Sequence, residues 1–156
     1  MTLVKDLTVA DSSSGKPASG ATTLQIEQHA KPTGSWPEIY LAGLSADWQG
    51  VALRLVEGTP EPRVFFSAVR DGQVIASGLS VVDGPLASVQ CMATTATARR
   101  TGAATAILGA IEAHAWASGV QRLYLQTDAA NTTAISVYER FGFRLAWRYH
   151  TRELVA

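Results

Sequence analysis

The hexapeptide Arg99-Arg100-Thr101-Gly102-Ala103-Ala104 is a turn of small residues behind two arginines. The segments on either side give it meaning. Ahead of it, Leu86-Ala87-Ser88-Val89-Gln90-Cys91-Met92-Ala93-Thr94 is uncharged and of strand length. Behind it, Ile107, Leu108, Ile111 and Ala115 recur at three- and four-residue steps, and Gly119 stands where a helix C-cap belongs. Leu123-Tyr124-Leu125-Gln126-Thr127 then alternates as a second strand. Strand, helix and strand at this spacing form a βαβ unit, whose crossover is right-handed and whose ligands collect beyond the strands' carboxyl ends. At that point the turn aims backbone N–H groups and a helix's positive end at an anion, phosphate being the usual guest.

With 156 residues, one domain with a substantial core is expected. Apolar residues make up 47% of the chain, yet no run approaches the ~18 needed to span a bilayer, so no membrane partner is expected. No basic segment followed by an apolar core opens the sequence, so no secretory signal is visible. Cys91 has no second cysteine to pair with and suits a reducing compartment, which makes a cytoplasmic protein the expectation. Thirteen basic and thirteen acidic residues balance, and without a basic stripe no nucleic-acid partner is expected.

The rest of the chain supplies flanking elements. Residues 1–21 are expected to form a flexible N-terminal segment, because Asp11 to Gly20 is small, polar and broken by Pro17 and glycines. Residues 22–156 form the single domain. Thr23 to Glu27 alternates as a first strand. Ser35-Trp36-Pro37-Glu38 has capping-box spacing, and Trp48, Val51, Ala52 and Leu55 make a helical stripe that ends near Gly58 and Pro60. Val64 to Val69 and Val74 to Leu79 flank Arg70-Asp71-Gly72-Gln73, in which Asp-Gly favours a type I′ hairpin turn. Asp83-Gly84-Pro85 makes the next reversal. Asn131 caps a helix carrying Ala134, Val137, Tyr138 and Phe141 on one face, Gly142 ends it, and Arg144 to His150 is a last strand.

This order of elements, with Arg99-x-x-Gly102-x-Ala104 after the fourth strand and Asn131-x-x-Ala134-x-x-x-Tyr138-Glu139-Arg140-x-Gly142-Phe143 about thirty residues on, resembles the GNAT superfamily of acyl-CoA-dependent N-acyltransferases. The resemblance spans roughly residues 22–150 and is specific from Gln90 to Phe143. It implies an α/β (α+β) fold whose mixed central sheet splays between the fourth and fifth strands, with flanking helices. It also implies an N-acetyltransferase that moves an acetyl group from acetyl-CoA to a primary amine on a small molecule or peptide. The alternative is a GNAT-like module that binds or senses acyl-CoA without turnover.

On that resemblance, Arg99, Arg100, Thr101, Gly102, Ala103, Ala104 and Thr105 meet the cofactor's pyrophosphate, and Met92, Ala93 and Thr94 meet its pantetheine arm with backbone groups that also face the thioester oxygen. Asn131 adds a cofactor contact, and Tyr138 is the catalytic residue, donating toward the departing thiolate. An attacking amine with a pKa near 10.4 is neutral in only about one part in a few thousand at pH 7, a cost of roughly 4–5 kcal/mol. Leu86 to Thr94 holds no Asp or Glu. Asp83, Glu57, His150 or a water chain are the candidate routes for its proton.

Other readings are structural. Cys91 reads as a small buried hydrophobe, and Trp36, Tyr40, Trp48 and Trp116 read as core. His29 and His114 lack metal-ligand spacing, so no metal is expected. Relatives commonly carry two strands after the Tyr138 helix, and Phe143 to Ala156 has no turn to make a second. The sheet edge is therefore open, filled by Leu3 to Ala10, or completed by another subunit, and a homodimer is the expectation.

Overall fold

The Asp71-Gly72 turn closes a hairpin with both central residues at positive φ (52° and 73°), the backbone that type I′ geometry demands. In the computed structural model, which describes residues 1–8 and 24–149, this hairpin joins β3 (Arg63–Arg70) to β4 (Gln73–Asp83). The other elements are β1 (Thr2–Asp6), β2 (Gln25–His29), α1 (Trp36–Leu41), α2 (Ala46–Glu57), β5 (Leu86–Thr94), α3 (Ala103–Ala117), β6 (Arg122–Gln126), α4 (Thr132–Arg140) and β7 (Arg144–Trp147). One mixed sheet runs β2-β3-β4-β5-β6-β1-β7, antiparallel except where β5 meets β6. The fourth and fifth strands foreseen in the sequence are β5 and β6. Asp11 to Gly20 and His150 lie outside the described residues.

Each face of the sheet has its own core. α3 buries Ile107, Leu108 and Ile111 against Phe66, Ala68 and Ala76, with Tyr138 and Phe143 in the same cluster. Close approach depends on Gly78 of β4, where a Cβ would lie 2.6 Å from Ile107 Cγ2. On the opposite face, Trp36 is fully buried against Phe65, and its indole N–H donates to the carbonyls of Phe66 (2.9 Å) and Gly78 (3.2 Å). A side chain of this size is worth about 3–5 kcal/mol. It anchors α1 where the expected capping box does not, since Ser35 makes no side-chain cap bond.

Two aromatic assignments fail. Trp48 is 62% exposed and Trp116 43% exposed, because α2 buries only the narrow line of Ala52 and Val56 and because Trp116 lies in the last turn of α3, beyond the sheet.

The larger correction concerns the N-terminus. Thr2–Asp6, expected within a flexible lead, is a strand inserted between β6 and β7 and antiparallel to both. Leu3 is fully buried, and Asp6 accepts from Arg122 of β6 and Arg144 of β7, which hold its carboxyl below the usual range. Filling of the edge by the N-terminal segment, one of the three outcomes weighed from the sequence, is thus the one seen, with β1 between β6 and β7. Lys5 fixes its register. Its ammonium lies 2.5 Å from Glu112 of α3 and 4.5 Å from the ring centre of Phe141, both charged side chains being close to nine-tenths buried.

Breaking such a pair strands a charge, whereas replacing both partners by apolar groups does not. Glu112→Leu alone is expected to destabilise the fold by about 3 kcal/mol, and the double change Lys5→Met with Glu112→Leu to recover most of that loss. Urea denaturation of the three proteins checks the pattern.

Candidate functional site

β5 and β6 pair from Leu86↔Arg122 to Val89↔Leu125 and then part. Beyond that point β5 continues to Thr94, hydrogen-bonded to β4 alone. A bulge marks the divergence: Ser77 pairs with Ala93 and Leu79 with Gln90, so Cys91 and Met92 together oppose Gly78. Cys91 takes φ 52°, left-handed backbone costing roughly 1–2 kcal/mol outside glycine, and Ser77 Oγ donates to its carbonyl at 3.2 Å. Past the bulge, Thr95 donates its N–H to Ile75 of β4. Alternation along the strand therefore turns the N–H groups of Thr94 and Met92 toward the gap. Of Met92, Ala93 and Thr94, Ala93 pairs with Ser77 of β4, and the other two lie on the strand edge that faces the opening.

The edge leads to the start of α3. After a single 3-10 turn at Ala96–Ala98, Arg100 (φ 62°) and Gly102 (φ 85°) are both left-handed, a pattern that gathers neighbouring N–H groups into a concave nest. Gly102 is the N-cap and offers no side chain, so the first-turn N–H groups of Ala103, Ala104 and Thr105 have no internal cap. A Cβ on Gly102 would meet nothing within 4 Å, so the space above the turn is open. The Thr101 hydroxyl donates to Ala98 O (2.7 Å) and accepts from Arg70 (3.2 Å), which stiffens the turn. Arg99 and Arg100 are exposed beside it. Converging N–H donors, a helix's positive end and three guanidinium groups make this an anion-holding surface.

Tyr138 and Asn131 come from α4. Asn131 Oδ1 accepts from the Ala134 N–H at 3.1 Å, an N-cap bond that fixes the start of the helix. Tyr138 is 91% buried, edge-on to Phe143 with ring centres 6.0 Å apart. Burial alone raises its phenol above the ordinary value, so it stays protonated throughout the neutral range.

On the opposite face, Cys91 packs with Tyr40 against the Trp36 cluster. Burial pushes its thiol up to about 11 and the Tyr40 phenol up to about 12. At pH 7 only about one such thiol in ten thousand is ionised, so Cys91 is no nucleophile.

The candidate bases do not assemble at the gap. Asp83 pairs with Leu86 at the far end of the sheet, about 20 Å along β5 from Met92. Glu57 closes α2 near Arg63, level with Val81, also toward that end. Among the described residues no group of three or more His, Cys, Asp or Glu is placed to hold a metal. Sequence reasoning missed Arg70, which reaches Thr101 across 31 residues, for which no local pattern exists, whereas Tyr40, assigned to the core, packs against the Trp36 cluster from the same face of α1.

A parallel strand pair that parts beside an uncapped helix N-terminus is the frame of this site. The chain belongs to the acetyltransferase (GNAT) family, whose profile matches residues 24–143. No curated protein matches the sequence significantly. Among solved structures, aminoglycoside N-acetyltransferase AAC(6')-Iy in complex with CoA is similar with TM-score 0.73 at 16% identity, over 90% of this chain and 100% of that one. An aminoglycoside acetyltransferase from an uncultured soil metagenomic sample, in complex with sisomicin, gives 0.64 at 16% identity, over 83% and 97%. A predicted acetyltransferase with acetyl-CoA from Clostridium acetobutylicum gives 0.62 at 16% identity, over 84% and 96%.

Proposed function

We propose that this chain transfers an acetyl group from acetyl-CoA to a primary amine of a small molecule or peptide by direct attack. The observation that carries the reading is the free edge of β5, which runs from the bulge at Cys91 straight to the uncapped start of α3. Pyrophosphate fits the nest at Gly102 to Thr105, with Arg99 and Arg100 adding charge and Asn131 closing the side. The amides of the pantetheine arm fit the backbone of Met92 and Thr94 as an added strand. The same N–H groups then face the thioester oxygen as it gains charge. Acetyltransferases in complex with CoA, acetyl-CoA and an aminoglycoside share this fold, which supports both cosubstrate and acceptor class.

Tyr138 serves the leaving group. Its phenol starts above 10 and the thiol it would protonate lies near 8.5, so complete transfer is uphill by at least about 2 kcal/mol and a hydrogen bond to the departing sulfur is its role. Tyr138 belongs to the α3 face, so the amine enters from the α1 face. The open stretch of β5, Gln90 to Thr94, carries no carboxylate or imidazole, which supports water as the carrier of the amine's proton. That same lack favours a second reading, an acyl-CoA-binding module without turnover.

β1 lies between β6 and β7, and among the described residues the edge strand on that side is β7, with Leu145 and Trp147 about half exposed. We propose that a second copy pairs there. Sedimentation should give twice the chain mass, and Trp147→Lys should halve it; a monomeric wild-type protein would end this proposal.

Tyr138→Phe should cut kcat by about 10²-fold while leaving acetyl-CoA affinity within about twofold, measured by thiol release over an amine panel and by calorimetry. Wild-type kcat/KM should climb with pH toward the acceptor's own pKa, with any alkaline fall displaced above the range in which an unperturbed phenol titrates, since burial raises the Tyr138 phenol. Thiol release unaffected by the substitution would remove Tyr138 from the mechanism. Binding of acetyl-CoA without release for any amine would favour the silent module.

A further inference from the structure

Between the two faces of the sheet, the bulge sorts its own side chains. Met92 turns toward α3, where its Sδ would lie 3.0 Å from a Cβ on Gly78 and its neighbours are Ile107 and Ile111, so that side is filled. Cys91 turns the other way and meets Tyr40. Tyr40 is not a loose lid. It lies one helical turn beyond Trp36, with ring centres 5.8 Å apart, and Trp36 is immobilised by complete burial and by its two carbonyl acceptors, Phe66 O and Gly78 O. Tyr40 and Cys91 remain partly accessible, so they border space rather than bury each other.

Resting on the acetyl-CoA reading above, we propose that Tyr40, held over Cys91, walls the acyl end of the gap and restricts the acyl group to short chains. The thioester oxygen is taken by N–H groups of β5 and the α3 side is closed by Met92, so the carbon chain beyond the carbonyl extends toward the α1 face. There it meets the phenol ring within a residue or two of the bulge. A wall anchored this firmly discriminates by size, and a single surplus methylene against a rigid pocket changes selectivity by about tenfold or more.

The test is calorimetric titration of the full chain with CoA, acetyl-CoA and hexanoyl-CoA, which needs no acceptor. Wild-type protein should bind hexanoyl-CoA at least about tenfold more weakly than acetyl-CoA. Tyr40→Ala should bring the two within about threefold, chiefly by strengthening the longer ligand. Tyr40→Phe, which keeps the ring, should retain the wild-type ratio. Should Tyr40→Ala fail to fold, Cys91→Gly removes the thiol beneath the ring at a φ glycine accepts freely, and it should also narrow the ratio. Equal binding of both thioesters by the wild type, or a ratio unmoved by Tyr40→Ala and by Cys91→Gly, overturns the proposal while leaving acetyl-CoA binding intact. Absence of heat with CoA and acetyl-CoA alike instead strikes the acetyl-CoA reading itself, and the acyl-size proposal falls with it.

Discussion

A strand edge whose N–H and C=O groups have lost their neighbour must find other partners, and this molecule is arranged around one such edge. β5 and β6 are held together only from Leu86 to Val89, and the following stretch of β5 is bonded on one side. The bulge at Cys91 is the local cause, because two residues opposite Gly78 shift the strand's course, and the strain of a left-handed cysteine is offset by the Ser77 bond to its carbonyl. The open edge of β5 leads to the uncapped start of α3.

The opening survives because the sheet is closed elsewhere. Thr2–Asp6 covers the far side of β6, so β6 can part from β5 at its carboxyl end without becoming a lone strand. From there Lys5 reaches both Glu112 of α3 and Phe141 beyond α4, tying the helix that carries the anion nest to the segment that positions Tyr138. The N-terminal strand thus braces α3 and the end of α4 together, although none of its residues faces the gap between β5 and β6.

How much of this was legible depended on whether the relevant forces were local. The hairpin at Asp71-Gly72, the caps at Asn131 and Gly142, and the βαβ unit around Gly102 are set by neighbours in sequence, and the chain forms them where the pattern indicates. The pairing of Thr2–Asp6 with β6 joins residues more than a hundred positions apart, and the sequence could offer Leu3 to Ala10 only as one of three ways to fill the edge beside the last strand. Burial was misjudged for the same reason: the stripe of Trp48 and Leu55 is periodic, but α2 has little sheet beneath it, so periodicity indicated a helix without indicating its depth. Around the opening, the Gly102 turn and the Asn131-capped helix that carries Tyr138 were readable as motifs, whereas the Arg70–Thr101 bond and the placing of Tyr40 over Cys91 required the sheet to be assembled.

The central claim is that main-chain amides at the start of α3 and along the open edge of β5 are the groups that hold acyl-CoA. Amide-resolved NMR during a titration with CoA addresses those groups themselves. The account predicts saturable shifts concentrated at Gly102, Ala103, Ala104, Thr105, Met92 and Thr94, with the amides of β3 and α2 unmoved. Shifts absent from the α3 turn, or confined to the exposed arginines and abolished by modest salt, would contradict it.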